Sequence, residues 1–194
     1  MKKWILASAS PRRKELLAEL IVEFEIIPSA ADESVDGYST VKGLVQTLAM
    51  RKALEVAQRG ECQGKMVVGS DTVVSFGGKA LGKPVDEQDA VRMLKMLSGK
   101  KHDVYTGVCF ACVQDGKTWT KCRVEKTAVY FNDLSDEWIQ EYVKGGSPMD
   151  KAGAYGIQDG GLVKKIKGSY SNVVGLPLEL VAKLLKTTEK VWND

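Results

Sequence analysis

Two arginines stand where a helix favours acids. In ASASPRRKELLAEL, residues 7–20, Ser10 reads as an N-cap and Pro11 as the first helical residue. Arg12 and Arg13 follow in the first turn, although free N–H groups and aligned peptide dipoles already make that end positive. Opposing the dipole costs a few tenths to about 1 kcal/mol per arginine. Either both guanidiniums splay into water, or an anion sits on the helix end. In the second case the N–H groups, the Ser8 and Ser10 hydroxyls and both arginines converge on phosphate oxygens.

Three further charges raise the same question. Between Ser39 and Arg59 the residues Val41, Val45, Leu48, Ala49 and Val56 recur at spacings of three, four and seven, and Lys52 falls near the centre of that apolar stripe. A lysine there must pair, snorkel to an edge, or face a cleft. Asp71, in MVVGSDTVV, is a carboxylate delivered by apolar and small residues to the middle or end of what should be an inner strand, so it is paired, bound to a metal, or set in a crevice. Glu33, in the loop ADES, is a candidate second carboxylate. Two acids facing a phosphate cradle suit Mg²⁺-assisted hydrolysis of a phosphoanhydride, with Asp71 also able to activate water. Lys83, in GKP, either returns toward Asp71 or stays a solvated turn lysine.

The elements that must position these groups are those of one mixed α/β domain spanning residues 1–194. KKWILASA reads as a short strand before a helix from Pro11 to about Leu20, and VEFEIIPSA as a second strand. Ser39 is the expected cap of the long helix and Gly60 its stop. KMVVGSDTVVSFGGKALGKP gives a buried strand and a hairpin at Gly77-Gly78, and a helix covers about Glu87 to Leu97. A long hairpin turns at Asp115-Gly116. Ser135 caps DEWIQEYVK, whose acidic first turn obeys the dipole rule that the first helix breaks. The final helix is expected from about Pro177 to Val191.

Composition excludes several classes. A net charge of +3 over 194 residues is too mild for polyanion binding by bulk charge, so an anion site must rest on a few placed residues. MKKWILASAS is not read as a signal peptide, and the apolar runs are strand-sized rather than membrane-spanning. A cytoplasmic protein is expected, with Cys62, Cys109, Cys112 and Cys122 as free thiols. Cys109 and Cys112 form a CxxC, but on a strand they point to opposite faces. With His102 the only histidine, no zinc site is expected.

Taken in order, SASPRR, the DE loop, RKA, GSDTVV, GKP, DKAGAYGIQ and GSYSNVVGLP resemble the Maf family over about residues 4 to 185. The resemblance implies an elongated mixed sheet with a central nucleotide cleft, like that of inosine-triphosphate pyrophosphatases. It implies hydrolysis of nucleoside triphosphates to monophosphate and pyrophosphate with a divalent metal, Mg²⁺ or Mn²⁺. By motif, Asp71 would be the catalytic base, Ser8, Arg13, Lys52 and Lys83 would bind phosphate, and Glu33 with Asp71 would hold the metal. Arg12, Thr72 and Gln158 would choose the base and are similar to the branch acting on dTTP and UTP. The Gln158 amide both donates and accepts, as a pyrimidine edge requires. A 7-methyl-GTP-type substrate stays open, as does a nucleotide-binding regulator of septum formation with incidental hydrolysis. Nucleic acid binding through KKIKGSY is the weakest reading. The long hairpin with Trp119 leaves a homodimer open.

Overall fold

The computed structural model describes residues 3–34 and 37–188. Among these residues seven strands form one mixed sheet in the order β2 (Glu25–Ile26), β1 (Trp4–Leu6), β3 (Met66–Phe76), β5 (Lys101–Gln114), β6 (Lys117–Phe131), β7 (Val163–Lys167), with β4 (Lys79–Leu81) also on β3. β1 runs parallel to β2 and β3, and the remaining pairings are antiparallel.

Alternation along the strands gives each face its own core. On one face, Ile5 and Val67 pack with Ala49, Ala53 and Val56 of helix α2 (Val41–Ala57). On the other, Leu6, Met66 and Val68 meet Leu17 of α1 (Pro11–Ala18) and Val181 and Leu184 of α6 (Leu178–Thr188). Helices α3 (Glu87–Leu97) and α4 (Asp136–Lys144) close the far end around Leu94, Val104, Val129, Ile139 and Tyr155.

Two placements make the cleft. α2 lies against the sheet: a Cβ on Gly69 would sit 2.4 Å from the Ala49 carbonyl oxygen, and one on Gly107 would sit 2.2 Å from that of Val45. Only glycine permits that approach. In addition, β1 pairs with Met66–Val68 of β3 while β4 pairs with Val74–Phe76. The stretch between them, Gly69–Val73, keeps β5 on one side and no described strand on the other. A crevice beyond the carboxyl end of a parallel strand is where open α/β sheets bind ligands.

The structure corrects five expectations. The cap of α2 is Thr40, whose hydroxyl accepts from Gly43 N at 3.1 Å, and not Ser39. That helix ends at Ala57, and Gly60 opens a 3₁₀ turn, Gly60–Cys62, instead of stopping the helix. The second strand shrinks to Glu25–Ile26, the two residues that pair with Ile5 and Leu6 of β1. A short helix, α5 (Tyr170–Val174), precedes the last one; the expected end at Val191 lies outside the described residues. Cys109 and Cys122 are not free thiols. The two are direct partners across β5 and β6 and form a disulfide, while Cys62 and Cys112 remain free.

Candidate active site

The uncovered stretch of β3 floors a cleft of about 680 Å³. Its lining includes Ser8, Arg12 and Arg13, then Glu33, Lys52, Asp71, Thr72 and Lys83, and then Asp150, Lys151, Tyr155 and Gln158. All nine candidate site residues named from the sequence, Ser8, Arg12, Arg13, Glu33, Lys52, Asp71, Thr72, Lys83 and Gln158, therefore line this one cleft.

Lys52 settles the question of the stripe. With α2 pressed onto Gly69 and Gly107, its ammonium reaches the cleft and sits 2.7 Å from Asp71 Oδ1 and 2.8 Å from Glu33 Oε1. Lys52 and Asp71 are both 11% exposed in their side chains, so this is a sheltered pair rather than a snorkelling lysine. The hydrogen bond from Lys52 holds the Glu33 carboxyl below its ordinary range against an opposing desolvation, and Lys83 adds to the same effect. Asp71 Oδ2 takes no hydrogen bond from a described residue and is the oxygen left for a water. Lys83 itself is exposed and forms no ion pair among the described residues.

Arg13 does not splay into water. Its Nε donates to the Gly175 carbonyl at 3.0 Å, one terminal nitrogen to Ser8 Oγ at 3.4 Å and the other to Thr72 Oγ1 at 3.2 Å. All three acceptors are neutral, and no carboxylate of the described residues forms an ion pair with it. Burial pulls its pKa down; Asp71 pulls back, Arg12 adds to the depression, and Glu33 opposes it. A sheltered guanidinium without a counter-ion is expensive unless an anion arrives. Ser8 Oγ accepts from Arg13 and from Ser10 N at 3.2 Å, which leaves its own hydrogen free to donate. Ser10 caps α1 by accepting from Arg13 N, and it too lines the cleft.

The base-selecting candidates divide. Thr72 Oγ1 is 3.0 Å from Thr106 Oγ1 and receives Arg13, so it braces the arginine. Arg12 stands on the rim, 3.4 Å from Asp150 Oδ2, and Gln158 is exposed in the cleft on a 3₁₀ turn, Ile157–Asp159. Sequence reasoning assigned no role to Asp150, Lys151, Tyr155 or Gly175. The first three lie in the quoted DKAGAYGIQ, but Asp150 and Tyr155 gain meaning only from partners distant in the chain, Arg12 and His102. Gly175 closes α5 at φ +127°, and its carbonyl holds Arg13, Ser70 and Thr72 together.

The donor set fits a divalent cation of one kind. Two carboxylates converge on a single ammonium, and no group of three or more His, Cys, Asp or Glu able to hold a metal occurs among the described residues. An all-protein cage is thus not built here, whereas one or two carboxylates completed by substrate phosphates and water is the usual Mg²⁺ arrangement. Among the described residues, no helix is long and apolar enough to cross a membrane.

Residues 3–188 match the family model described as Maf-like protein. Proteins named dTTP/UTP pyrophosphatase are similar over nearly their whole length. One from Thermococcus kodakarensis is 50% identical, covering 93% of this chain and 94% of its own. One from Bacillus cereus is 46% identical, covering 96% and 95%, and one from Agathobacter rectalis is 45% identical with both chains fully covered. The solved Ham1 protein of Staphylococcus aureus superposes with a TM-score of 0.55 over 96% of this chain and 99% of that one, at 13% identity, which speaks for a shared fold.

Proposed function

The chain belongs to the Maf family, and on that footing we propose that it hydrolyses dTTP and UTP to the monophosphate and pyrophosphate. The observation that carries this reading is Arg13: a sheltered cation whose hydrogen-bond partners among the described residues are all neutral, at the positive end of α1, facing the same cleft as Asp71. A polyphosphate is the anion that such a cradle suits.

In this scheme Arg13, the Ser8 hydroxyl and Lys83 bind phosphate oxygens, and Lys52 is shared between them and the two acids. Asp71 takes a proton from a water through Oδ2. The water oxygen bonds to the α-phosphorus, the bond to the bridging oxygen breaks, and pyrophosphate leaves with that electron pair into the cationic wall. A divalent cation, Mg²⁺ or Mn²⁺, held by Glu33 and Asp71, would neutralise phosphate charge there when bound. Arg12, Thr72 and Gln158 set the base. Gln158 reads the uracil or thymine edge with its amide. The whole of residues 1–194 works as one pyrophosphatase domain, in the cytoplasm, without nucleic acid, either alone or as a homodimer.

The test is a panel of dTTP, UTP, CTP and 7-methyl-GTP with Mg²⁺ or Mn²⁺, with pyrophosphate and orthophosphate measured separately. Pyrophosphate from dTTP and UTP is expected. Orthophosphate as the first product, or a preference for 7-methyl-GTP, would discard the assignment.

A further inference from the structure

The turn bearing Gln158 has few contacts of its own with the sheet, yet it is held from behind at several points. Tyr142, on α4, donates its hydroxyl to Asp159 Oδ2 at 2.5 Å and accepts from Gly156 N at 3.1 Å, so a single phenol oxygen ties the residues on both sides of the Ile157-Gln158 pair. Ser147 Oγ donates to the same Asp159 oxygen at 2.8 Å. Lys151 in turn donates to Ser147 Oγ at 3.1 Å and to the Ser147 carbonyl. Space is tight: a Cβ on Gly156 would lie 2.8 Å from Asp159 Oδ2 and 2.9 Å from Lys151 Cε.

α4 reaches the turn a second time, one helical turn away. Trp138 stacks on Tyr142 with centroids 5.1 Å apart, and its ring edge would be 3.1 Å from a Cβ on Gly161. The chain entering the turn also carries Ala154 at φ +62°, a left-handed conformation that a non-glycine residue keeps only where its surroundings impose it. Neither Tyr142 nor Asp159 lines the cleft. Burial, and then the facing Asp159, raise the Tyr142 pKa, so the phenol keeps the proton that it donates. Burial alone would raise the Asp159 carboxyl, but the hydrogen bonds from Tyr142 and Ser147, the nearby Lys151 charge and the Gly156 N–H together hold it low.

We infer that Tyr142 and Asp159 are positioning residues for pyrimidine selection: their hydrogen bond clamps the Gly156–Gly160 turn so that the Gln158 amide meets the base at a fixed height and tilt. The clamp rests on the reading that Gln158 selects the base. It acts on discrimination between UTP and CTP, whose edges differ in donors and acceptors at N3 and C4, and not on the phosphate chemistry.

The experiment compares kcat/KM for UTP and CTP in the full chain and in Tyr142→Phe, Asp159→Ala, Asp159→Asn and Gln158→Glu, with thermal midpoint and near-UV circular dichroism as folding controls. Tyr142→Phe and Asp159→Ala are expected to lower the UTP-to-CTP ratio about tenfold, with kcat for UTP changing no more than about twofold. Asp159→Asn, which keeps an acceptor for the phenol, is expected to recover part of the ratio. If Gln158→Glu shifts the ratio and Tyr142→Phe does not, the clamp is refuted and the base reading survives. An unchanged ratio in Gln158→Glu removes both. An equal loss on both substrates that tracks the melting temperature would make Tyr142 an ordinary packing residue and also overturn the clamp.

Discussion

Helix α1 begins at Ser10 and helix α4 at Ser135, and in both the serine hydroxyl accepts from the third residue on, Arg13 N at 3.4 Å and Trp138 N at 3.2 Å. Beyond the cap the two part company. α4 puts Asp136 and Glu137 in its first turn and Lys144 in its last, so its dipole is answered by its own side chains. α1 has no acid in its first turn and adds two arginines. α4 stands behind the cleft and braces a loop, whereas α1 points its positive end into the cleft. The difference teaches that an unanswered helix end is informative only when its charges are also sheltered. Arg12, on the rim and answered by Asp150, says little; Arg13, enclosed by neutral acceptors, says much.

The comparison can be broken most severely at Asp71, where the end served by α1 does its chemistry. Asp71→Asn is expected to lower pyrophosphate release about 10²- to 10⁴-fold while calorimetry still detects UTP binding. Near-normal turnover would strip Asp71 of its role as base.

A second test addresses the far end of the molecule, near α4. His102 lies buried between Phe131 and Tyr155, with Nε2 2.8 Å from the Tyr155 hydroxyl and Nδ1 without a hydrogen-bond partner among the described residues, and burial holds its pKa down to about 4. The unfolded chain takes up a proton below its ordinary value of 6.5, whereas the folded chain refuses it until about pH 4. Stability from this group is thus complete above pH 6.5 and is lost as the pH falls toward 4, on the order of 3 kcal/mol in all. Urea midpoints of the protein and of His102→Gln, taken from pH 7 to 4.5, should diverge in slope over that window; parallel curves would mean that His102 is not held neutral.

The mildest test uses the two caps themselves. Ser135→Ala and Ser10→Ala should each cost about 1 kcal/mol in denaturant titrations. Only Ser10→Ala should also weaken UTP binding, because its helix end carries the ligand's charge. Equal effects on binding, or none, would erase the distinction between the helices.

Much of the framework was legible because its signals are local. The span Glu87–Leu97, the helix capped by Ser135 and the hairpins at Gly77-Gly78 and Asp115-Gly116 follow from caps, dipoles and turn residues acting over about four positions. The apolar stripe of α2 was equally readable, and so was the anomaly of Lys52 within it. The Ser39 cap was misplaced by one residue because Ser39 and Thr40 carry the same hydroxyl chemistry, and only backbone geometry chooses between them. Five-residue α5 carries too short a pattern to announce itself.

What residue order fixed by itself was an inventory: cations where a helix end and an apolar stripe reject them, and an acid on an inner strand. Tertiary structure alone decided their partners. Glycines at 69 and 107 let α2 approach until Lys52 met both Asp71 and Glu33; Gly175 reached back to Arg13; and Tyr142 seized the turn of Gln158. Each of those contacts joins segments whose separation along the chain carries no distance information. Strand register and helix depth, set by packing of the entire sheet, decide whether they touch.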